Sequence, residues 1–387
     1  MKIDFETVIE RRRTDSLKWS RYDSDVLPLW VADMDFRSPE PVLEALRRRV
    51  EHGVFGYGAE LEELKEVVCD RMDRLQSWKV TPEMIVFQPG LVCGLNVMCR
   101  AVGREGDGVM INTPVYPPFL TAPRNQKREL QAVELKTTLW KGRLEYPLDL
   151  DALERGITDK TRLFILCNPH NPTGRAYRRS ELAALAEFCL RHDLFLCSDE
   201  IHCDLITGES PHLSIAALAP EVAERTVTLL APSKTFNIAG LGCGFAIIPN
   251  PELRGRFQKA ARGMVPEVNV LGMVAGLAAY NECEEWLLSL LDYLRGNRDF
   301  VLGYADRNWP SIRLAYPEAT YLAWLDCRGL ELEERPFDFF LKRARVALND
   351  GHFFGPGGEG FARLNFGCPR STLEKALDRM TAALEGR

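Results

Sequence analysis

The stretch "RLFILCNPHNPTG", residues 162–174, joins the apolar run Leu163–Cys167 to a turn of asparagine, proline and glycine. An apolar run of this length, cut off by turn residues, reads as a strand buried on both faces. The same pattern recurs along the chain. "MIVFQPG" stops at Pro89-Gly90, "GVMINTPVYPP" at Thr113-Pro114, "LFLCSDE" at two carboxylates, "TVTLLAPSK" at Lys234, and "GCGFAIIPN" at Pro249-Asn250. Helical patterns lie between several of them, for example Ser180 to His192. Strands alternating with helices predict an α/β fold with a mostly parallel sheet covered on both faces. Ligands of such sheets bind beyond the carboxyl ends of the strands.

The flanks fit around that sheet. Residues 40–52 and 60–76 read as helices, as does most of 269–303. After that the pattern changes. "ATYLAWLD" and "FARLNFG" have strand character, "FDFFLKRARVAL" reads as a helix running into a strand, and "STLEKALDRMTAALEGR" reads as an N-capped closing helix. This predicts a large domain over 48–285 and a smaller α+β domain formed by 1–47 and 286–387.

The chain has 387 residues, 46% of them hydrophobic, and a net charge of -6. No basic stripe offers itself to a nucleic-acid backbone. The runs Arg11–Arg13 and Arg47–Arg49 read as solvated helix faces. Eleven cysteines without a CxxC pair read as small buried hydrophobes in a reducing compartment. The six histidines lack metal-ligand spacing, so no metal is expected. The first residues lack the apolar core of a signal peptide and no apolar run approaches membrane-spanning length, which together suggest a cytoplasmic protein.

Chemistry-bearing residues gather at the strand ends. Asp199 closes one apolar run, and a carboxylate there needs a cationic partner or is costly. Taken alone, it reads as a helix cap or a salt bridge. Lys234 closes another. It is either a lysine snorkelling to water or a desolvated amine able to condense with a carbonyl. Asn171 sits in the proline turn of a third, and Gly90 opens a helix whose free N–H groups can hold a phosphate.

In their order and spacing, "GYG", "PGLVCGL", "NPHNPTGR", "SDEIH", "SKTFNIAG" and "FARLNFGCPR" resemble the fold-type I pyridoxal-phosphate enzymes, the aspartate aminotransferase-like fold. "WVADMDF", "SDEIH", "SKTFNIAG" and "FGPGGEGF" are most similar to the cystathionine β-lyase branch of the MalY/PatB type. The resemblance covers essentially the whole chain. It implies a carbon–sulfur β-lyase that cleaves cystathionine or another L-cysteine S-conjugate. An aminotransferase shares every cofactor residue, and a binding or regulatory protein on the same fold is a further alternative.

The resemblance also implies roles. Lys234 would bind pyridoxal phosphate covalently and later take the Cα proton. Asp199 would pair with the pyridine nitrogen, Asn171 would donate to the ring oxygen, and Tyr116 would stack on the ring. The backbone of Gly90, Leu91 and Val92, with the Ser233 hydroxyl, would hold the phosphate. Tyr57 would reach the phosphate of a neighbouring subunit in a homodimer with shared sites. Arg363 would clamp the substrate carboxylate, with Asn171, Tyr116 and Asp33 also on the substrate side. His202 would contact the ring oxygen or simply be a packed histidine. Where many relatives carry a phosphate-binding hydroxyl and an arginine, this chain has Ala231 and Gly242.

Overall fold

The computed structural model describes residues 3–386. Seven strands form the main sheet: β1 (Ile85–Gln88), β2 (Gly108–Thr113), β3 (Glu129–Glu134), β4 (Thr161–Cys167), β5 (Phe195–Asp199), β6 (Thr226–Leu230) and β7 (Gly244–Ile247). Their order is β1-β7-β6-β5-β4-β2-β3. From β6 to β3 every neighbour is parallel, and β7 runs antiparallel to both β1 and β6. The carboxyl ends of β4, β5 and β6 therefore share one edge, and the amino end of β7 returns to it.

Period-2 alternation explains why the strands read as continuous apolar runs. Val109, Ile111, Leu163 and Ile165 face one helical layer. Met110, Phe164, Leu166 and Leu196 face the other, against Leu182, Leu185 and Phe188. Each face is buried by a helix layer, so the central strands are buried along nearly their whole length, with Arg162 near the start of β4 exposed. The edge strand β3 mixes exposed and half-buried residues without regular alternation.

Two helices, α1 (Glu40–Glu51) and α2 (Glu62–Gln76), precede the sheet. Helix α3 (Leu91–Ala101) follows β1, and α4 (Arg179–Arg191) lies between β4 and β5. Helices α5 (Val270–Glu282) and α6 (Glu284–Asn308) lead to a four-stranded antiparallel sheet in the order Arg313–Leu314, Leu322–Asp326, Phe361–Asn365, Asn349–Asp350. Residues 27–28 pair in parallel with 346–347, which ties the N-terminal segment to the C-terminal part.

Two local expectations are corrected. The last helix, α7 (Arg370–Glu385), has no side-chain cap, because Pro369 occupies the flanking position. The Arg370 N–H is met instead by the Tyr293 hydroxyl at 2.7 Å. Arg47 and Arg48 are solvated on α1, whereas Arg11 lies outside any helix, only 20% exposed, against Asp33 and Asp35.

Among the described residues all eleven cysteines are free. No helix there is long and apolar enough to cross a membrane, and no cluster of three His, Cys, Asp or Glu residues is placed to hold a metal.

Candidate active site

A cavity of about 440 Å³ opens at the shared strand edge, between the main sheet, the N-terminal segment and the small sheet. Strand β5 ends at Asp199, and the Ile201 N–H holds its carboxylate at 3.1 Å. Burial pushes the Asp199 carboxyl up to about 7, and neighbouring Glu200 raises it further, against the pull of that N–H and of Lys234. Among the described residues no cation hydrogen-bonds to it.

Beyond β6, the loop of Ala231, Ser233 and Lys234 lines the same cavity. The Lys234 amine donates to the Ala32 carbonyl at 2.7 Å. Burial draws this amine down to about 8, with Arg363 adding and Asp33 opposing. A lysine in that range has an appreciable neutral fraction near neutrality, as attack on a carbonyl requires.

The turn after β4 presents Asn171. Its backbone carbonyl accepts from the Tyr116 N–H at 3.0 Å, and its side-chain oxygen accepts from Arg363 Nη1 at 2.8 Å. Arg363 comes from the strand Phe361–Asn365. Its Nη2 donates to the Trp30 carbonyl at 3.0 Å and to the Asn349 side chain. The Arg363 Nε is buried with no partner. Burial lowers its guanidinium to about 10, so it remains a cation aimed into the cavity. His202 is buried on the wall with an unpartnered Nδ1, and burial with the nearby Lys234 and Arg363 lowers it to about 3. It is thus neutral at working pH.

Gly90 opens α3 at the cavity floor, and a Cβ built there meets nothing within 4 Å. The first N–H groups of α3, at Leu91 and Val92, have no carbonyl one turn back and face an anion site. Gly242 is different. It has φ +60, and a Cβ there would approach the Pro89 carbonyl to 3.0 Å. A side chain at that position would be strained and crowded, and the glycine brings no cation to the cavity.

These donors fit pyridoxal phosphate. An unpaired buried carboxylate suits a protonated pyridine nitrogen, a lowered lysine suits the aldehyde, and a bare helix N-terminus suits the phosphate. Lys234 and Arg363 are the only cationic side chains among the described lining residues. Arg363 is engaged on the Asn171 side, so the described residues bring only helix N–H groups and the Ser233 hydroxyl to the phosphate end.

The cavity gathers Lys234, Asp199, Asn171, Tyr116, Gly90, Leu91, Val92, Ser233, His202 and Arg363. It does not gather Tyr57, which is fully exposed. Nor does it gather Asp33, whose carboxylate turns to Arg11 at 2.9 Å and Lys18 at 3.5 Å. The residue next to Asp33 matters instead. The Ala32 carbonyl accepts from both Lys234 and the Tyr321 hydroxyl, the latter at 2.9 Å.

Residues 30–36 form a strap across the cavity. Asn237 grips it through the Met34 N–H and the Met34 and Phe36 carbonyls. Asn365 grips the Val31 and Asp33 carbonyls. Arg11, Lys18 and Trp19 converge on Asp35. The motif "WVADMDF" was the only sequence signal for this strap, and it named no backbone atom.

The chain matches the model of the family "Aminotransferase class I and II" over residues 24–380. It is 40% identical to the cystathionine β-lyase PatB of Bacillus subtilis (strain 168), over 99% of this chain and 100% of that one. The crystal structure of OvoB superposes with a TM-score of 0.94 at 46% identity, covering 99% of this chain and 100% of that one. Cystalysin from Treponema denticola, whose crystal structure contains a pyridoxal 5′-phosphate cofactor, superposes with a TM-score of 0.94 at 34% identity over the full length of both chains.

Proposed function

This chain belongs to the class I and II aminotransferase family, and from that premise we propose that it is a pyridoxal-phosphate-dependent carbon–sulfur β-lyase acting on L-cysteine S-conjugates. One observation carries the reading. A lowered lysine and a raised, unpaired carboxyl face the same cavity from adjacent strand ends, above an open helix N-terminus. The full-length likeness to proteins named cystathionine β-lyase selects the lyase branch.

When bound, pyridoxal phosphate supplies the electron sink that accepts the pair left by loss of the Cα proton. Lys234 would hold it covalently, Asp199 its ring nitrogen, Asn171 its ring oxygen, and the Leu91 and Val92 N–H groups with Ser233 its phosphate. Tyr116 would cover the ring. His202, neutral and on the wall, is available to the ring oxygen as a donor or an acceptor.

Arg363 receives the substrate carboxylate through its free Nε and its terminal nitrogens. That contact fixes the amino acid so that the Cα–H bond points at the Lys234 amine, and positioning of this kind selects one bond among several. The amine, leaving the Ala32 carbonyl, takes the Cα proton. The C–S electron pair departs with sulfur as a thiolate. Released 2-aminoacrylate then hydrolyses to pyruvate and ammonia.

Among the described residues no cation reaches the phosphate end, and exposed Phe55 and Tyr57 are close in sequence to the exposed Val50 and Val54. Both facts support a homodimer in which Tyr57 of each subunit reaches the partner's phosphate site. A monomer that is fully active in solution would contradict it. We propose a reducing compartment such as the cytoplasm on the strength of the eleven free cysteines.

The test is stoichiometry. Enzyme loaded with cofactor is incubated with an S-conjugate, and pyruvate, ammonia and free thiol are measured together. Equal amounts of the three are expected. Amino-group exchange with a 2-oxo acid, with neither thiol nor pyruvate released, would make the protein an aminotransferase.

A further inference from the structure

The two ends of the cavity differ in chemistry. Of its described lining residues only Asp199, Lys234 and Arg363 carry charge, since burial keeps His202 neutral. All three are assigned to the cofactor or to the α-carboxylate. What remains beside Arg363 is uncharged, the Asn349 amide and an aromatic wall. Phe354 lies under its guanidinium at 5.1 Å and is wedged edge-on against Trp324 at 5.2 Å. The Trp30 carbonyl accepts from the same guanidinium. Phe353 is 60% exposed while lining the cavity, so it stands at the mouth.

Charged groups around this mouth are turned to other partners. His352 is paired with Glu359, Asp350 with Arg335, and Arg21 lies over the Trp30 and Tyr22 rings. The backbone N–H of Val115 fixes the Phe354 carbonyl at 2.9 Å, which joins the aromatic wall to the loop bearing Tyr116. The wall is thus held by packing and backbone bonds rather than left to adapt.

Cystathionine carries a second ammonium and a second carboxylate beyond sulfur. Moving those charges against Trp30, Phe353 and Phe354 strips their hydration, and no unassigned charged side chain among the described lining residues receives them, which is costly. An apolar or aromatic group on sulfur meets the same wall favourably. We propose that the preferred substrates are L-cysteine S-conjugates with an uncharged aromatic or alkyl group on sulfur, sorted by the wall of Trp30, Phe353 and Phe354. The inference rests on the lyase reading above and goes beyond it in substrate class.

The experiment compares kcat/KM for S-benzyl-L-cysteine, S-methyl-L-cysteine and L-cystathionine on the cofactor-loaded enzyme, read as pyruvate. S-benzyl-L-cysteine is expected to exceed cystathionine by about tenfold or more, in line with what one buried apolar group contributes to discrimination. Phe353→Ala, at an exposed position that spares the fold, is expected to lower the benzyl-to-methyl ratio about fivefold, chiefly through KM. Calorimetric dissociation constants are expected to follow the same order, with O-benzyl-L-serine tighter than O-methyl-L-serine. Cystathionine equal to or better than S-benzyl-L-cysteine overturns the inference alone, as does a benzyl-to-methyl ratio unmoved by Phe353→Ala. Pyruvate from none of the three overturns the lyase reading and the inference with it.

Discussion

Asp199→Asn is expected to stabilise the cofactor-free protein while abolishing its activity. The Asp199 carboxyl is 5% exposed, with one N–H donor and no hydrogen-bonded cation. Burial raises it from 3.8 to about 7. A carboxyl raised on folding holds its proton in the native state over a range where the unfolded chain has lost it. Stability is therefore full below the unfolded value, falls as pH rises from about 4 to about 7, and is flat above. The shift corresponds to about 4 kcal/mol, an upper bound because water entering the empty cavity relieves part of it. Asparagine keeps the oxygen that accepts from Ile201 and removes the charge. Urea unfolding of the cofactor-free proteins, at one protein concentration, reads the difference in midpoint. At pH 4 wild type and variant are expected to coincide within about 1 kcal/mol, and at pH 8.5 the variant to be more stable by about 2–4 kcal/mol. With cofactor added the order reverses in function: pyruvate formation by the variant falls by about 10³-fold or more, the ring nitrogen having lost its anion. A variant less stable than wild type at pH 8.5 would refute the reasoning, because it would mean the carboxylate is compensated in the empty site.

Other expectations follow from the same geometry. Arg363→Lys keeps a positive charge but loses the planar fork, and kcat/KM is expected to fall about 10- to 100-fold in steady-state assays. Because the Lys234 amine must be neutral to attack the cofactor, the rate of cofactor uptake by the cofactor-free protein should rise with pH through about 8 and level off above it; a flat absorbance-monitored rate between pH 7 and pH 9 would contradict this. Arg11→Ala removes ion pairs to Asp33 and Asp35, so chemical unfolding should report a loss of about 1–3 kcal/mol, with a raised KM as the strap loosens.

The strand ends were legible because apolar runs of five to seven residues stop at residues that have no business in a core. Lys234, Asp199, Asn171 and Gly90 could be picked out before any coordinate was known. The reversed direction of β7 was not legible, since an apolar run looks alike in either sense. Strand β3 escaped because an edge strand with mixed exposure carries no clean alternation. The Ala32 carbonyl escaped for a stronger reason: a backbone oxygen has no signature in the letter that bears it. Tyr321 reads as one more core residue of a small-domain strand, and its hydroxyl gains meaning only through a bond across the fold to Ala32. The pairing of Arg11 with Asp33 escaped for the same cause, because it spans 22 residues and no local period encodes it.

The most direct measurement is pyruvate formation from S-benzyl-L-cysteine by wild type and Lys234→Ala in parallel, both saturated with pyridoxal phosphate. Pyruvate from wild type, and a rate at least about 10³-fold lower from the variant, is the expected result for a lysine that transfers the Cα proton. Pyruvate at comparable rates from both proteins would contradict it and move the chemistry away from the end of β6.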